Sequence, residues 1–142
     1  MRFMILVKAT PESEAGAMPA SDALVAMGRY NEALIDAGVL LHGEGLMASG
    51  KGVRLRFDGN RLTLTEGPFP QTSELLAGFW LIDVKSRDEA LAWCRRLPFE
   101  SGEEIELRQV FETADFVAEG SARDHLQREQ SWRDQTQRPL TR

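Results

Sequence analysis

Apolar and polar positions along this chain recur with two different periods, and the points where the period changes mark its elements. "RFMILVKA" is a continuous apolar run of β-forming residues, the pattern of a strand covered on both faces. "TPESEAGAMPAS" follows with two prolines and a glycine and reads as a loop. From Ser21 to Ala37 the spacing becomes helical, with Leu24, Met27, Leu34 and Ile35 stacked on one side, Ser21 as N-cap and Gly38 as the stop. "VLLHGEGLMAS" is a second strand broken by Gly43 and Gly45. In "GVRLRF" and "RLTLT", Val53, Leu55 and Phe57 point one way and Arg54 and Arg56 the other, and Asp58-Gly59 between the runs signals a hairpin. "GFWLIDV" is the most apolar strand. A second helix starts at "SRDE", where Ser86 and Glu89 have capping-box spacing, and ends at Leu97-Pro98. "EEIELRQVF" alternates and forms a last strand with one wet face.

The resulting order, β-α-β-(hairpin)-β-α-β, predicts an α+β fold: a ferredoxin-like βαββαβ sandwich with an extra hairpin. Two helices cover only one face of its sheet. "GFWLIDV" is apolar on both, with Phe79 and Leu81 on one side and Trp80 and Ile82 on the other. Trp80 or its neighbours therefore need a partner, and a homodimer is expected. After Phe111 the composition turns polar, so residues 1–111 are read as the domain and 112–142 as a C-terminal extension, helical or partly disordered. Arg123, Arg128, Arg133 and Arg138 recur every five residues, a rotation of ~140° per step that forms no single stripe. A solvated helix or frayed tail is one reading. The other is a tail that docks on a neighbour through Phe116, Leu126 and Trp132.

Composition narrows the function. The chain has 142 residues and a formal net charge of −5, which argues against direct nucleic-acid binding while leaving room for a small anionic ligand. Its single cysteine, Cys94, sits among apolar helical neighbours and reads as a packed thiol in a reducing, cytoplasmic setting. No apolar run approaches the ~20 residues that span a bilayer, and the start reads as a strand rather than a signal peptide. No phosphate loop, metal-spaced Cys/His cluster or nucleophile elbow is present, so no cofactor or metal is expected.

The candidate chemistry gathers around "TEGPFPQTSELL". Gly67-Pro68-Phe69-Pro70 makes a stiff loop, because each proline sets its own φ and restricts its predecessor. That loop presents Gln71, Thr72, Ser73 and Glu74, and polar loops held by a rigid sheet are common places for sites. His42 lies beside Gly43 and Gly45, which leave room for a ligand or another backbone. His42 and Glu66 are the candidate acid/base pair. Arg54, Arg56, Thr72, Ser73, Phe69 and Trp80 are the candidate ligand contacts, with an arginine able to hold an anionic group by paired donors.

"AGVLLHGEGLMAS", "RLTLTEGPFPQTSELLAGFWLIDV", "SRDEALAWCRRLP" and "IELRQVF" resemble, in order from Met1 to Phe111, the YCII-related family, and in particular its branch named for an Asp-Gly-Pro-Phe motif. The resemblance implies a ferredoxin-like domain that pairs into a dimeric α/β barrel-like assembly. Molecular function in the family is mostly unassigned. Some members occur beside or fused to extracytoplasmic-function sigma factors, and a few relatives are enzymes acting on small aromatic compounds. This chain departs from the pattern: Glu66 replaces the motif's aspartate, and Gln71-Thr72-Ser73-Glu74 stands where Glu-Thr-Lys-Glu is usual, so a lysine is missing. The helix from Ser21 to Ala37 has no histidine, with Met27 near the place where some relatives carry one, so their His–Asp pair does not transfer. Three readings follow. The chain is a small-molecule binding or regulatory module, an enzyme using His42 and Glu66 on a small cyclic or aromatic substrate, or an interaction partner of a sigma factor or another protein.

Overall fold

The computed structural model describes residues 1–141. In chain order it runs β1 (Arg2–Lys8), α1 (Pro11–Glu14), α2 (Ser21–Asp36), β2 (Leu40–Gly45), β3 (Val53–Asp58), β4 (Arg61–Glu66), β5 (Leu76–Asp83), α3 (Arg87–Cys94), β6 (Ile105–Gln109) and α4 (Gly120–Thr136). Four strands form one sheet in the order β2-β5-β1-β6, every neighbouring pair antiparallel, and β3 pairs only with β4. This mixed α+β arrangement is consistent with the ferredoxin-like fold expected. The hairpin leaves the sheet between β2 and β5, which are themselves hydrogen-bonded neighbours.

Strand alternation gives the sheet two unlike faces. Phe3 and Ile5 of β1, Trp80 and Ile82 of β5 and Leu40 of β2 join Tyr30 and Leu34 of α2 and Ala90 and Trp93 of α3 in one core. Phe3, Ile5, Leu34 and Ile82 are almost fully buried there. Tyr30 stands edge-on to Trp80, with centroids 5.5 Å apart, and to Trp93 at 6.5 Å. Two aromatic polar tips find partners: the Tyr30 hydroxyl donates to the Trp93 carbonyl at 3.3 Å, and Trp80 Nε1–H donates to Asn31 Oδ1 at 2.8 Å. Burial holds the Tyr30 phenol well above its ordinary pKa. On the opposite face the register aligns Met4 with Leu81 and Leu6 with Phe79. The helices thus cover the Trp80 side and leave the Phe79 side for another layer.

Gly43 is explained by the same packing. It pairs with Trp80, and a Cβ there would lie 2.7 Å from Trp80 Cδ1. The room expected at Gly43 is therefore taken by the indole, on the helix side of the sheet, whereas a Cβ on Gly45 would meet nothing within 4 Å.

Some local chemistry differs from the sequence reading. Part of the expected loop after β1 is helical: the Thr10 hydroxyl accepts from Ser13 N–H, Ser13 Oγ accepts from Thr10 N–H, and Pro11 occupies the first turn. A proline there punctuates a helix start as readily as a loop. Ser21 lies inside α2, with Ala20 at the N-cap, whereas Gly38 does end the helix at φ +67°. At α3, Ser86 Oγ accepts from Glu89 N–H, while the Glu89 carboxylate accepts from Lys85 N–H, one residue before the cap. Burial pushes the half-buried Cys94 thiol up, as suits a packed thiol.

The segment after β6 folds back on the body. Arg2 donates to both Glu112 carboxylate oxygens, to the Phe111 carbonyl and to Gln137 Oε1, and Leu140 N–H donates to Leu40 C=O at the outer edge of β2. Arg2 follows the open-face side of the β1 alternation, so α4 sits over the end of the sheet where β1 begins and β5 ends. Partial burial alone would raise the Glu112 carboxyl, but the Arg2 hydrogen bonds and charge outweigh it and hold it below the usual carboxylate range.

Candidate functional site

A cleft of about 410 Å³ opens beside the Gly-Pro-Phe loop. Leu46, Met47, Phe69, Leu75 and Leu76 give it apolar walls, and Glu14, Ser49 and Lys51 supply polar groups. Its frame is a chain of hydrogen bonds across three segments distant in sequence. The Glu14 carboxylate accepts from Ser49 N–H at 3.1 and 3.2 Å and from the Ser49 hydroxyl. Ser49 Oγ in turn accepts from Phe69 N–H at 3.0 Å. Glu14 is delivered by capped α1, Ser49 by a 3-10 turn over Ser49–Lys51, and Phe69 by the loop.

Gly67 lets these segments meet. Its N–H donates to Gly52 C=O at 2.9 Å, and a Cβ on it would stand 1.8 Å from the Ser49 carbonyl oxygen. Only a residue without a side chain fits so close to another backbone. The Gly67-Pro68 peptide is cis. Arg54 stacks over the Phe69 ring, its guanidinium carbon 4.0 Å from the centroid, and fixes the ring from the hairpin side.

The structure brings Phe69 and Arg54 together and disperses the remaining candidates. His42 is exposed on β2, opposite Leu81 on the open face of the large sheet. Glu66 is exposed at the end of β4, opposite Val53, in the separate two-stranded sheet. His42 and Glu66 line neither this cleft nor the one described next. Glu66 shares the hairpin's leucine face, so Arg54 and Arg56 leave from the other side. Thr72 and Ser73 lie in a 3-10 turn, Thr72–Glu74, outside the cleft lining. Trp80 is buried in the helix-side core. Glu14, Ser49 and Lys51 were missed by sequence reasoning. The only signal for Glu14 was the Thr10–Ser13 capping pattern, and nothing local to "MASGKG" announces Ser49 as a brace.

A second, more polar cleft of about 280 Å³ lies beneath α4, lined by Arg2, Leu41, Asp83, Glu112, Arg133 and Gln137 among others. Its charges are largely engaged with one another, as in the Arg2–Glu112 pair at 3.0 Å. Among the described residues, no group of three or more His, Cys, Asp or Glu is arranged to hold a metal ion, and no helix is long and apolar enough to cross a membrane.

A family model described as YCII-related domain matches residues 1–114, which include the cleft, the Gly-Pro-Phe loop and the hairpin but not α4. The chain belongs to the YCII-related family. This YCII-related chain is 38% identical, over 63 residues, to an uncharacterized protein of Rhizobium meliloti (strain 1021). The match covers 44% of this chain and 51% of that protein, so the chain spans about half the length of the curated relative it matches. It is also similar to the solved structure of 5-chloro-2-hydroxyhydroquinone dehydrochlorinase (TftG) from Burkholderia phenoliruptrix AC1100 in complex with 2,5-dihydroxybenzoquinone. That likeness has 19% identity and a TM-score of 0.37, over 75% of this chain and 91% of that one.

Proposed function

We propose that this YCII-related chain, of the branch with the Asp-Gly-Pro-Phe type of loop, is a cytoplasmic small-molecule binding or regulatory module that works as a homodimer of the α/β barrel-like kind. Its ligand is a small ring compound with a hydroxyl and an anionic group. The observation that carries this reading is the cleft beside Phe69. A mainly apolar pocket with a few convergent polar groups suits a compact apolar ligand held in one orientation. Within it Glu14 is an acceptor for a ligand hydroxyl, Lys51 is the cation for an anionic group, and the Phe69 ring, backed by Arg54, is a stacking surface.

The binding reading is preferred to the enzyme reading because His42 and Glu66 stand on different sheets. The homodimer is supported by Met4, Leu6 and Phe79, which are only half-buried on the face that α2 and α3 do not cover. A partner such as a sigma factor remains the reading for α4, which lies beyond the matched family segment.

The test is a thermal-shift screen of phenols and small aromatic acids. A ligand at a hundredfold excess over its Kd stabilises by ~2.7 kcal/mol. A true ligand shifts wild type, His42→Ala and Glu66→Gln alike and loses its effect on Phe69→Ala. If Phe69→Ala retains the full shift while His42→Ala or Glu66→Gln loses it, the cleft is not the site.

A further inference from the structure

A helix that docks on a domain ordinarily turns an apolar stripe toward it. α4 does the reverse. Along the helix and its C-cap the half-buried residues are Leu126, Gln130, Arg133 and Gln137, at spacings of four, three and four that put them on one side. Only Leu126 among them is apolar. Trp132, the largest apolar side chain of the helix, is instead 58% exposed. Polar groups turned inward cost free energy unless something bonds to them there. What Gln130, Arg133 and Gln137 face is the cleft of about 280 Å³, not a packed surface.

The protein's own bonds orient these groups and leave a defined remainder. Gln130 accepts from the Thr113 hydroxyl and donates to Asp134 Oδ1, so its amide is satisfied and steadies that carboxylate. Gln137 Oε1 accepts from Arg2, which leaves the Gln137 amide nitrogen as a donor with no partner among the described residues. Arg133 spends one N–H on the exposed Glu129 and has others to give. Glu112 is taken by Arg2 at 3.0 Å, and Asp83 by the Met1 ammonium at 2.9 Å. The remainder is a pair of donors, Arg133 and Gln137, beside one carboxylate, Asp134, whose Oδ2 has no partner among the described residues. A simple anion here would also meet Asp83, Glu112 and Asp134, and a simple cation would also meet Arg2 and Arg133. A molecule that carries both charges suits both halves.

We propose that the cleft beneath α4 binds a small zwitterion of the α-amino acid class and that this ligand pins α4 to the domain. Arg133 and Gln137 take its carboxylate by charge-assisted hydrogen bonds, and Asp134 takes its ammonium. The cleft lies at the bottom of the ~300–1,000 Å³ range of drug-sized pockets, and Leu41 is its one buried apolar wall. Both favour a ligand with a very small side chain, as in glycine, alanine or serine. The site depends on the C-terminal extension, because Gln130, Arg133, Asp134 and Gln137 all lie beyond the matched family segment. It shares no lining residue with the cleft beside Phe69, so the two ligands do not compete.

The test is hydrogen exchange of α4 in the full-length chain, with glycine, L-alanine and L-serine as probes and with acetate and ethylammonium as their two halves. Amides that exchange by undocking of the helix slow about a hundredfold when a ligand that needs α4 in place is at a hundredfold excess over its Kd. At least one of the three amino acids is expected to slow them, and neither half-molecule is. Arg133→Gln and Asp134→Asn are expected to keep the ligand-free exchange of α4 and to weaken the amino acid about tenfold or more. If acetate protects as well as the amino acids do, the cleft is an anion site and the zwitterion is wrong. If none of the three protects α4, or if both variants respond like wild type, the proposal is overturned. Should a variant undock α4 by itself, the wild-type contrast between the amino acids and their halves still decides.

Discussion

Replacing Gly67 with alanine tests whether backbone contact at the Gly-Pro-Phe loop builds the cleft. The added Cβ would meet the Ser49 carbonyl oxygen at 1.8 Å and the Ser49 carbonyl carbon at 2.6 Å. Both obstacles are main chain, so no side-chain rotation relieves them, and the loop must withdraw from the Ser49 turn. Withdrawal breaks the Gly67 N–H to Gly52 C=O bond and strains the Phe69 N–H to Ser49 Oγ bond. At ~0.5–1.5 kcal/mol for each of the two hydrogen bonds and ~1–3 kcal/mol for forced repacking, the loss is about 2–6 kcal/mol. Urea denaturation reads it as a midpoint lower by roughly 1–3 M at a mid-range slope of ~2 kcal/mol/M. Gly45→Ala is the control, because a Cβ there meets nothing within 4 Å, and it stays within ~0.5 kcal/mol of wild type. If Gly67→Ala also stays within ~0.5 kcal/mol, the close approach does not hold the cleft together.

Other substitutions probe the supports around it. Asn31→Leu leaves the part-buried Trp80 Nε1–H without its acceptor and costs ~1–3 kcal/mol in the same denaturation assay; no change would mean that water replaces the amide freely. Gly43→Ala drives a methyl into the Trp80 ring and costs ~1–3 kcal/mol, with a changed tryptophan emission spectrum; an unchanged spectrum would contradict the packing. Glu112 has a depressed pKa in the folded chain, so its contribution to holding α4 is complete above the ordinary glutamate value of ~4.3 and is lost as pH falls below it, through the folded value. Hydrogen exchange in α4 should rise over that acid range before the core opens, and Arg2→Ala should abolish the pH step. Exchange that stays flat until global unfolding would refute the anchor.

The main elements were legible because their periods are strong. The run at Phe3–Val7 and the 3.6-residue pattern ending at Gly38 each correspond to an observed element, and the Asp58-Gly59 signal marks the β3–β4 hairpin, whose turn is Gly59-Asn60 with Asp58 paired to Arg61. The family was legible from the Gly-Pro-Phe loop and its flanking strand. The cleft was legible only as a location. Alternation showed that Val53 and Leu55 oppose Arg54 but gave no account of where the whole hairpin stands relative to His42. Glu14 and Ser49 meet across thirty-five residues of sequence, a contact that no local period encodes. Gly43 was read as space for a ligand because sequence shows that room exists, not which side chain fills it.

The central claim is that a small ring compound binds beside Phe69. Amide chemical-shift mapping on uniformly 15N-labelled protein, titrated with the best ligand from the thermal-shift screen, tests it most directly. The account predicts that the largest shifts cluster at residues 46–52, 67, 69 and 75–76, saturate together, and leave His42 and Glu66 nearly unmoved. Shifts centred on His42, on Glu66 or on the cleft beneath α4, with residues 46–52 silent, would contradict it.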